Sequence, residues 1–292
     1  MTTRRRLWYV TTTIAAITLG PGPAFGQREV ETQRTPRQRA LELDQNGQTA
    51  EARVILRALV DSASDPEARA AAWRVLALSY AFDGDCDNTA KYEEMVIAYW
   101  MSREEEEPQN AYYQQGERAN EAARVCIDAG YLDAAERLYR RGYELGVKEP
   151  EPKTHPVSLW DYRLTHALGR IAARRGNKVE AQRQIGNARR ILDSDPTMAA
   201  DQERYFPYLV GYVALFTNDL STAEVEFTKL LAIPGNQRDP FMHSLLAMTY
   251  EHMGRTDEAM ALYQKAFDLA RAHNPPAAFV RRFVRAKLKS HQ

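Results

Sequence analysis

Two stretches of the sequence carry chemically distinct side chains at helical spacing. Arg163, His166, Arg170 and Arg174 recur at steps of three, four and four residues, and Tyr205, Tyr208, Tyr212 and Phe216 at steps of three, four and four. On an α-helix that spacing puts each set on one face. Guanidinium groups hold carboxylates through paired, charge-assisted hydrogen bonds, and tyrosines supply rigid contact area with few rotatable bonds. A basic ridge and an aromatic ridge together suit an extended, acidic or carboxylate-bearing peptide.

Covalent chemistry needs a nucleophile, a base and an orienting group brought together. The chain has no Gly-x-Ser-x-Gly, no phosphate-cradling loop, no Gly-x-Gly-x-x-Gly and no His-Glu-x-x-His. Its histidines, His155, His166, His243, His252, His273 and His291, do not stand at metal-ligand spacing with a second strong ligand. The run Asp83-Gly84-Asp85-Cys86-Asp87 has the carboxylates of a calcium loop but not its glycine position. It reads as a turn with capping carboxylates. No metal or other cofactor is expected, and the chain is not expected to be an enzyme. With 39 basic and 39 acidic residues, no global field draws it to nucleic acid.

The elements that must carry the two ridges form a series. Gly47, Gly84, Gly130, Gly176, Asn218 and Gly254 follow one another at intervals of 36 to 46 residues. Glycine and asparagine tolerate the left-handed backbone of a tight helix–helix turn. Five residues after the turn an alanine recurs (Ala52, Ala135, Ala181, Ala223, Ala259), and four further on a large apolar side chain (Leu56, Tyr139, Ile185, Phe227, Tyr263). Two helices crossing closely need a small residue at the contact and a large one a turn later to fill the groove. The second unit departs from this, with Thr89 and Glu93 at those places; Ala90 implies a register shift there. Asp65-Pro66, Asp195-Pro196 and Asp239-Pro240 each place a capping carboxylate before a proline suited to a first helical turn.

Trp73-x-x-Leu76-Ala77-x-x-Tyr80 followed by Gly84-Asp85 resembles the first helix and turn of a tetratricopeptide repeat, and the resemblance in phase covers residues 36–273. It implies an all-α fold: a right-handed α-α superhelix, a solenoid of about six helix pairs and roughly thirteen helices. Residues 274–292, with Phe279, Val280, Phe283, Val284 and Leu288 on one face, form a C-terminal helix capping the exposed end of the stack. Residues 102–111 and 146–157 read as surface loops, the second, with three prolines, as a flexible joint between half-arrays.

In such an array the first helices line the concave side. The resemblance therefore sets the two ridges side by side in a groove that holds a protein or peptide partner. The family's lysine- and asparagine-based carboxylate clamp is not reproduced, so its ligand is not transferred. The alternative is an accessory module that takes a small lipid or glycan in an aromatic pocket. An open, continuous groove marks the first and a closed apolar pocket the second. Cys86 opens the second helix of one pair and Cys126 lies near the end of the next first helix; antiparallel neighbours bring such positions together, so an exported chain can form a disulfide there, the alternative being two separate buried thiols. Residues 1–26 combine Arg4-Arg5-Arg6, an apolar run from Leu7 to Leu19 and small residues up to Gly26, the pattern of a secretory leader. Cleavage after Gly26 would leave residues 27–35 as a flexible N-terminus and the mature chain periplasmic or secreted, with no membrane-spanning segment.

Overall fold

A computed structural model of the chain describes residues 34–291. The expected leader, and residues 27–33 after it, lie outside the described residues. Those described form one unit of α-helices, with no strand among them. Six antiparallel pairs follow one another: α1 (Pro36–Asn46) with α2 (Thr49–Asp61), α3 (Pro66–Asp83) with α4 (Cys86–Met101), α5 (Pro108–Ala129) with α6 (Leu132–Gly146), α7 (Val157–Arg174) with α8 (Lys178–Ser194), α10 (Phe206–Phe216) with α11 (Leu220–Ala232), and α12 (Pro240–His252) with α13 (Thr256–Leu269). The short α9 (Pro196–Gln202) leads into α10 through a 3-10 turn at Glu203–Tyr205, and α14 (Pro275–Ser290) ends the series. Each helix packs on its chain neighbour, as in an α-α superhelical repeat.

The turns carry the backbone that their residues allow. Gly47, Gly84, Gly130, Gly176 and Gly254 have φ between 70° and 93°, and Asn218 has φ 63°. After each turn the small-then-large step packs as the crossing geometry requires. Ala52, Ala135, Ala181, Ala223 and Ala259 are all buried; Leu56, Tyr139, Phe227 and Tyr263 fill the grooves beside them, while Ile185 is only half-buried against the cluster that holds Ala181. Asp65, Asp195 and Asp239 accept hydrogen bonds from the backbone N–H groups of Ala68, Met198 and Phe241, at 2.8, 3.0 and 2.8 Å.

Three expectations change. The second pair shows no register shift: Thr89 and Glu93 occupy the small and large positions themselves, each 1% exposed. Thr89 turns its hydroxyl to the Ala77 carbonyl at 3.4 Å. Glu93 has neither carboxyl oxygen hydrogen-bonded.

The 146–157 loop is not a slack joint. It folds around the buried Glu149 carboxylate, which accepts from the Thr154 amide at 2.5 Å, the Thr154 hydroxyl at 2.8 Å and the His155 amide at 3.2 Å. Stacking of His155 on Tyr113, with centroids 4.0 Å apart, ties the loop to α5.

The third change concerns α14, which does more than cover the last pair. It packs on α12 and α13 and also on α3, α5 and α1. Val280 and Val284 are fully buried, and Ala278 meets Ala81, Phe82 and Val125. The segment before and along α14 is bonded to the first pair. His273 Nε2 lies 2.9 Å from the buried Asp44 carboxylate, which also accepts from Ser79 at 2.7 Å. The His273 ring stacks on Phe82. Arg285 donates to the Gln45 carbonyl, and Gln45 to the Arg271 carbonyl. The last helix thus bridges the sixth pair to the first across the inside of the array.

Candidate functional site

The first helices of the second to sixth pairs converge on a cavity of about 510 Å³. Arg74 comes from α3; Glu117, Arg118, Glu121 and Arg124 from α5; Tyr162, Arg163, His166 and Arg170 from α7; Tyr205 and Tyr208 from the turn into α10 and α10 itself; Phe241 from α12. Tyr139 of α6 and Pro275–Pro276, where α14 starts, complete much of the wall. Spacing explains the α5 contribution: Arg118, Glu121, Arg124 and Asp128 follow at three, three and four residues, one charged stripe on a helix whose other faces are alanine-rich.

The structure sets the basic and aromatic stripes face to face across α7 and α10. Five of the eight residues singled out line the cavity: Arg163, His166, Arg170, Tyr205 and Tyr208. Arg174, Tyr212 and Phe216 do not. They form a group of their own, Arg174 donating to the Tyr212 hydroxyl at 3.3 Å with its guanidinium 4.8 Å from the Phe216 centroid.

The stripes bond to each other rather than standing free in solvent. Arg170, expected on the ridge that meets a partner, is only 5% exposed. Its Nη1 donates to the Tyr208 hydroxyl and its Nη2 to the Tyr139 hydroxyl, both at 2.9 Å. Position 170 faces α6 and α10 at once, which no single-helix pattern reveals. Tyr205 also departs from the expected stripe, because the helix breaks into a 3-10 turn there. Its carbonyl accepts from His166 Nε2 at 3.3 Å. Burial, then the like charge of Arg170, holds the His166 pKa well below the usual histidine range, so this ring is a neutral donor at pH 7.

Charges around the cavity are unevenly matched: five arginines against Glu117, Glu121 and Asp239. Glu117 pairs with Arg163 at 2.7 Å. Glu121 pairs with Arg118 and, at 3.4 Å, with Arg74. Asp239 is engaged as the cap of α12. That leaves Arg124 and Arg170 without a carboxylate partner from the lining. Arg124 lies 4.7 Å over the Phe241 ring, and its buried Nε has no hydrogen-bond partner among the described residues. Sequence reading missed Arg124, Glu121 and Phe241; for the first two the α5 stripe was the available signal.

The groove is therefore neither of the forms expected. It is not open and continuous, since α14 crosses its interior, and the cavity that remains is lined by charge as well as aromatic rings. Among the described residues no cluster of three metal-ligating side chains occurs, and no helix is long and apolar enough to cross a membrane.

Cys86, opening α4, and Cys126, near the end of α5, have Cα atoms 4.8 Å apart and are joined as a disulfide. The pair lies in the same cluster as Ala123, Ile127 and Ala135, behind the cavity wall.

A family model described as tetratricopeptide repeat matches residues 242–273, which are most of α12 and α13 with the link to α14. No curated protein matches the chain.

Proposed function

We propose that this chain, a tetratricopeptide-type protein, is an extracytoplasmic scaffold that holds a protein or peptide partner on its concave side and catalyses no reaction. One contrast carries the reading. The second helices, on the outer side, satisfy their charges locally through pairs such as Arg140–Glu136, Arg183–Glu180 and Lys229–Glu226, three or four residues apart. Such pairs are ordinary solvated surface. The first helices instead gather arginines and aromatic rings on one concavity, with fewer carboxylates than guanidinium groups. Arginine and tyrosine are the residue types that carry recognition energy at protein interfaces. The excess of positive charge favours an acidic partner, approaching by the rim around Arg163 and Tyr205, which α14 does not fill. The leader pattern of residues 1–26 supports export.

A photo-crosslinking residue tests this at two positions: 205 on the concave rim and 179, where Val179 is 82% exposed on the outer helix α8. In an envelope preparation, a discrete cross-linked species from position 205 and none from 179 is the expected result. Equal labelling from both, or labelling from 179 alone, overturns the proposal. Amino-terminal sequencing of the same material should read from Gln27.

A further inference from the structure

We infer that the cavity between α5, α7, α10 and α12 is a binding site for a small organic oxyanion with a flat apolar body, its charged end held by the guanidinium groups of Arg124 and Arg170. The inference shares with the scaffold reading only the premise that the concave side is the recognising side. It concerns a molecule that enters the cavity, not a chain laid over it.

Charge gives the first argument. Arg118 and Arg170 are more than nine-tenths buried and line the cavity, yet Arg170 is held there by two neutral tyrosine hydroxyls rather than by a carboxylate. Arg124 has no ion pair, and its Nε has no hydrogen-bond partner, among the described residues. A guanidinium taken out of water without a counter-charge is costly. Asp128, four residues on from Arg124 in α5, leaves its buried Oδ2 without a hydrogen bond and so pairs with neither Arg124 nor Arg170 through it. Burial raises the Asp128 pKa, which further reduces its worth as a counter-ion. Of the carboxylates in the lining, Glu117 and Glu121 are paired and Asp239 caps α12, so Arg124 and Arg170 have no carboxylate partner there, and an anion entering the cavity would supply one.

Shape gives the second argument. A volume of about 510 Å³ falls within the usual range for small-ligand sites. The lining sets aromatic rings beside the arginines: Arg124 lies over Phe241 and Arg170 against Tyr208, with Tyr162 and Tyr205 also in the wall. Planar guanidinium groups suit the two oxygens of a carboxylate or phosphate, and flat aromatic walls suit a ring. Because α14 starts at this cavity with Pro275–Pro276, the space admits a compact molecule rather than an extended chain.

The test uses the purified full chain with benzoate, phenyl phosphate, succinate and inorganic phosphate, titrated by calorimetry at constant ionic strength in chloride. Saturable binding of benzoate or phenyl phosphate, tighter than succinate or inorganic phosphate, is expected, and the tighter of the two aromatic anions identifies the headgroup. Arg124→Gln should weaken that binding about tenfold or more, and Arg124→Lys by less, because the charge remains but the fork is lost. The exposed Arg190→Gln should leave it unchanged. Absence of saturable binding by all four anions, or undiminished binding in Arg124→Gln, overturns the inference. Should Arg124→Gln not fold, Phe241→Leu, which removes a flat wall and no charge, must favour succinate over benzoate relative to the parent chain; an unchanged preference also overturns it. No protein partner enters this measurement, so its failure leaves the scaffold reading standing, and failure of the cross-linking test leaves the oxyanion site standing.

Discussion

Replacing Arg170 with methionine tests whether the interior network holds the fourth and fifth pairs together. The side chain is 5% exposed, and its two terminal nitrogens each donate at 2.9 Å to hydroxyls of Tyr139 and Tyr208, residues 6% and 8% exposed. Methionine keeps an unbranched stem, stops two atoms short of the terminal guanidinium nitrogens and removes every donor. Each hydrogen bond to a charged group is worth about 1.5–3 kcal/mol, and each hydroxyl left unpartnered in the interior costs about 1–3 kcal/mol. Against this stands relief of the cost of burying a guanidinium, which offsets a good part of the sum. The net expectation is a loss of about 2–4 kcal/mol.

Urea unfolding followed by far-UV circular dichroism reads the effect as a lower midpoint at unchanged slope. A double-mutant cycle with Tyr139→Phe should give a coupling above about 0.5 kcal/mol, because the two groups share one hydrogen bond. A loss under about 0.5 kcal/mol, the range of ordinary surface substitutions, would mean that Arg170 is a solvated charge. The reading of the α7–α10 interface as a bonded network would then be wrong.

Two further perturbations address the second and third pairs. Thiol titration of the unfolded, unreduced chain should find no free thiol, and Cys86→Ser with Cys126→Ser should lower stability by about 3–4 kcal/mol in the chain-entropy account for the 40-residue separation; two titratable thiols would refute the bond. Glu93 has its pKa raised to about 8 by burial, then by repulsion from Glu121, with Arg118 and Arg74 opposing. Between the ordinary glutamate pKa and about 8 the folded state therefore holds a proton that the unfolded state releases, so this group's contribution falls as pH rises through that window. Glu93→Gln should flatten the decline and raise stability at pH 9 by at least about 1 kcal/mol; an equal or lower midpoint at pH 9 would contradict this.

What could be read from the sequence was whatever depends on neighbours a few residues or one helix away. The six turns needed only a residue that accepts positive φ, and Gly47 through Gly254 marked them all. The alanine positions needed only the crossing of two consecutive helices. Thr89 and Glu93 were misjudged because polarity was taken as evidence of a slip, whereas the helix register tolerates a buried threonine bonded to a carbonyl and a glutamic acid that holds its proton. Arg170 was misjudged for a different reason. Its partners lie 31 and 38 residues away on two other helices, so its burial is a property of their packing and not of its own stripe. The bridge made by α14 was least legible: His273 meets Asp44, and Arg285 meets Gln45, across 229 and 240 residues. Whether those ends meet depends on the accumulated rotation of all six pairs.

That bridge changes the physics of the array. In an open solenoid each repeat touches its neighbours only, and stability adds up along the stack. Here Ala278 of α14 is buried against α3 and α5 while Val280 and Val284 are buried against α12 and α13, and the Asp44–His273 contact joins the first pair to the last link. Loss of the first pair therefore uncovers α14, and loss of α14 uncovers the inner faces of α3, α5 and α12 together. The same helix divides the concave side. Where it runs, Ala278 closes against Ala81, Phe82 and Val125, and Arg281, Arg282 and Arg285 border a smaller cavity with Asp44 and Asp83; where it starts, at Pro275–Pro276, the inner faces are lined with arginine and tyrosine. On the proposed readings, recognition falls on the stretch between α5 and α12, where the partner site and the oxyanion site share several side chains beside the start of α14.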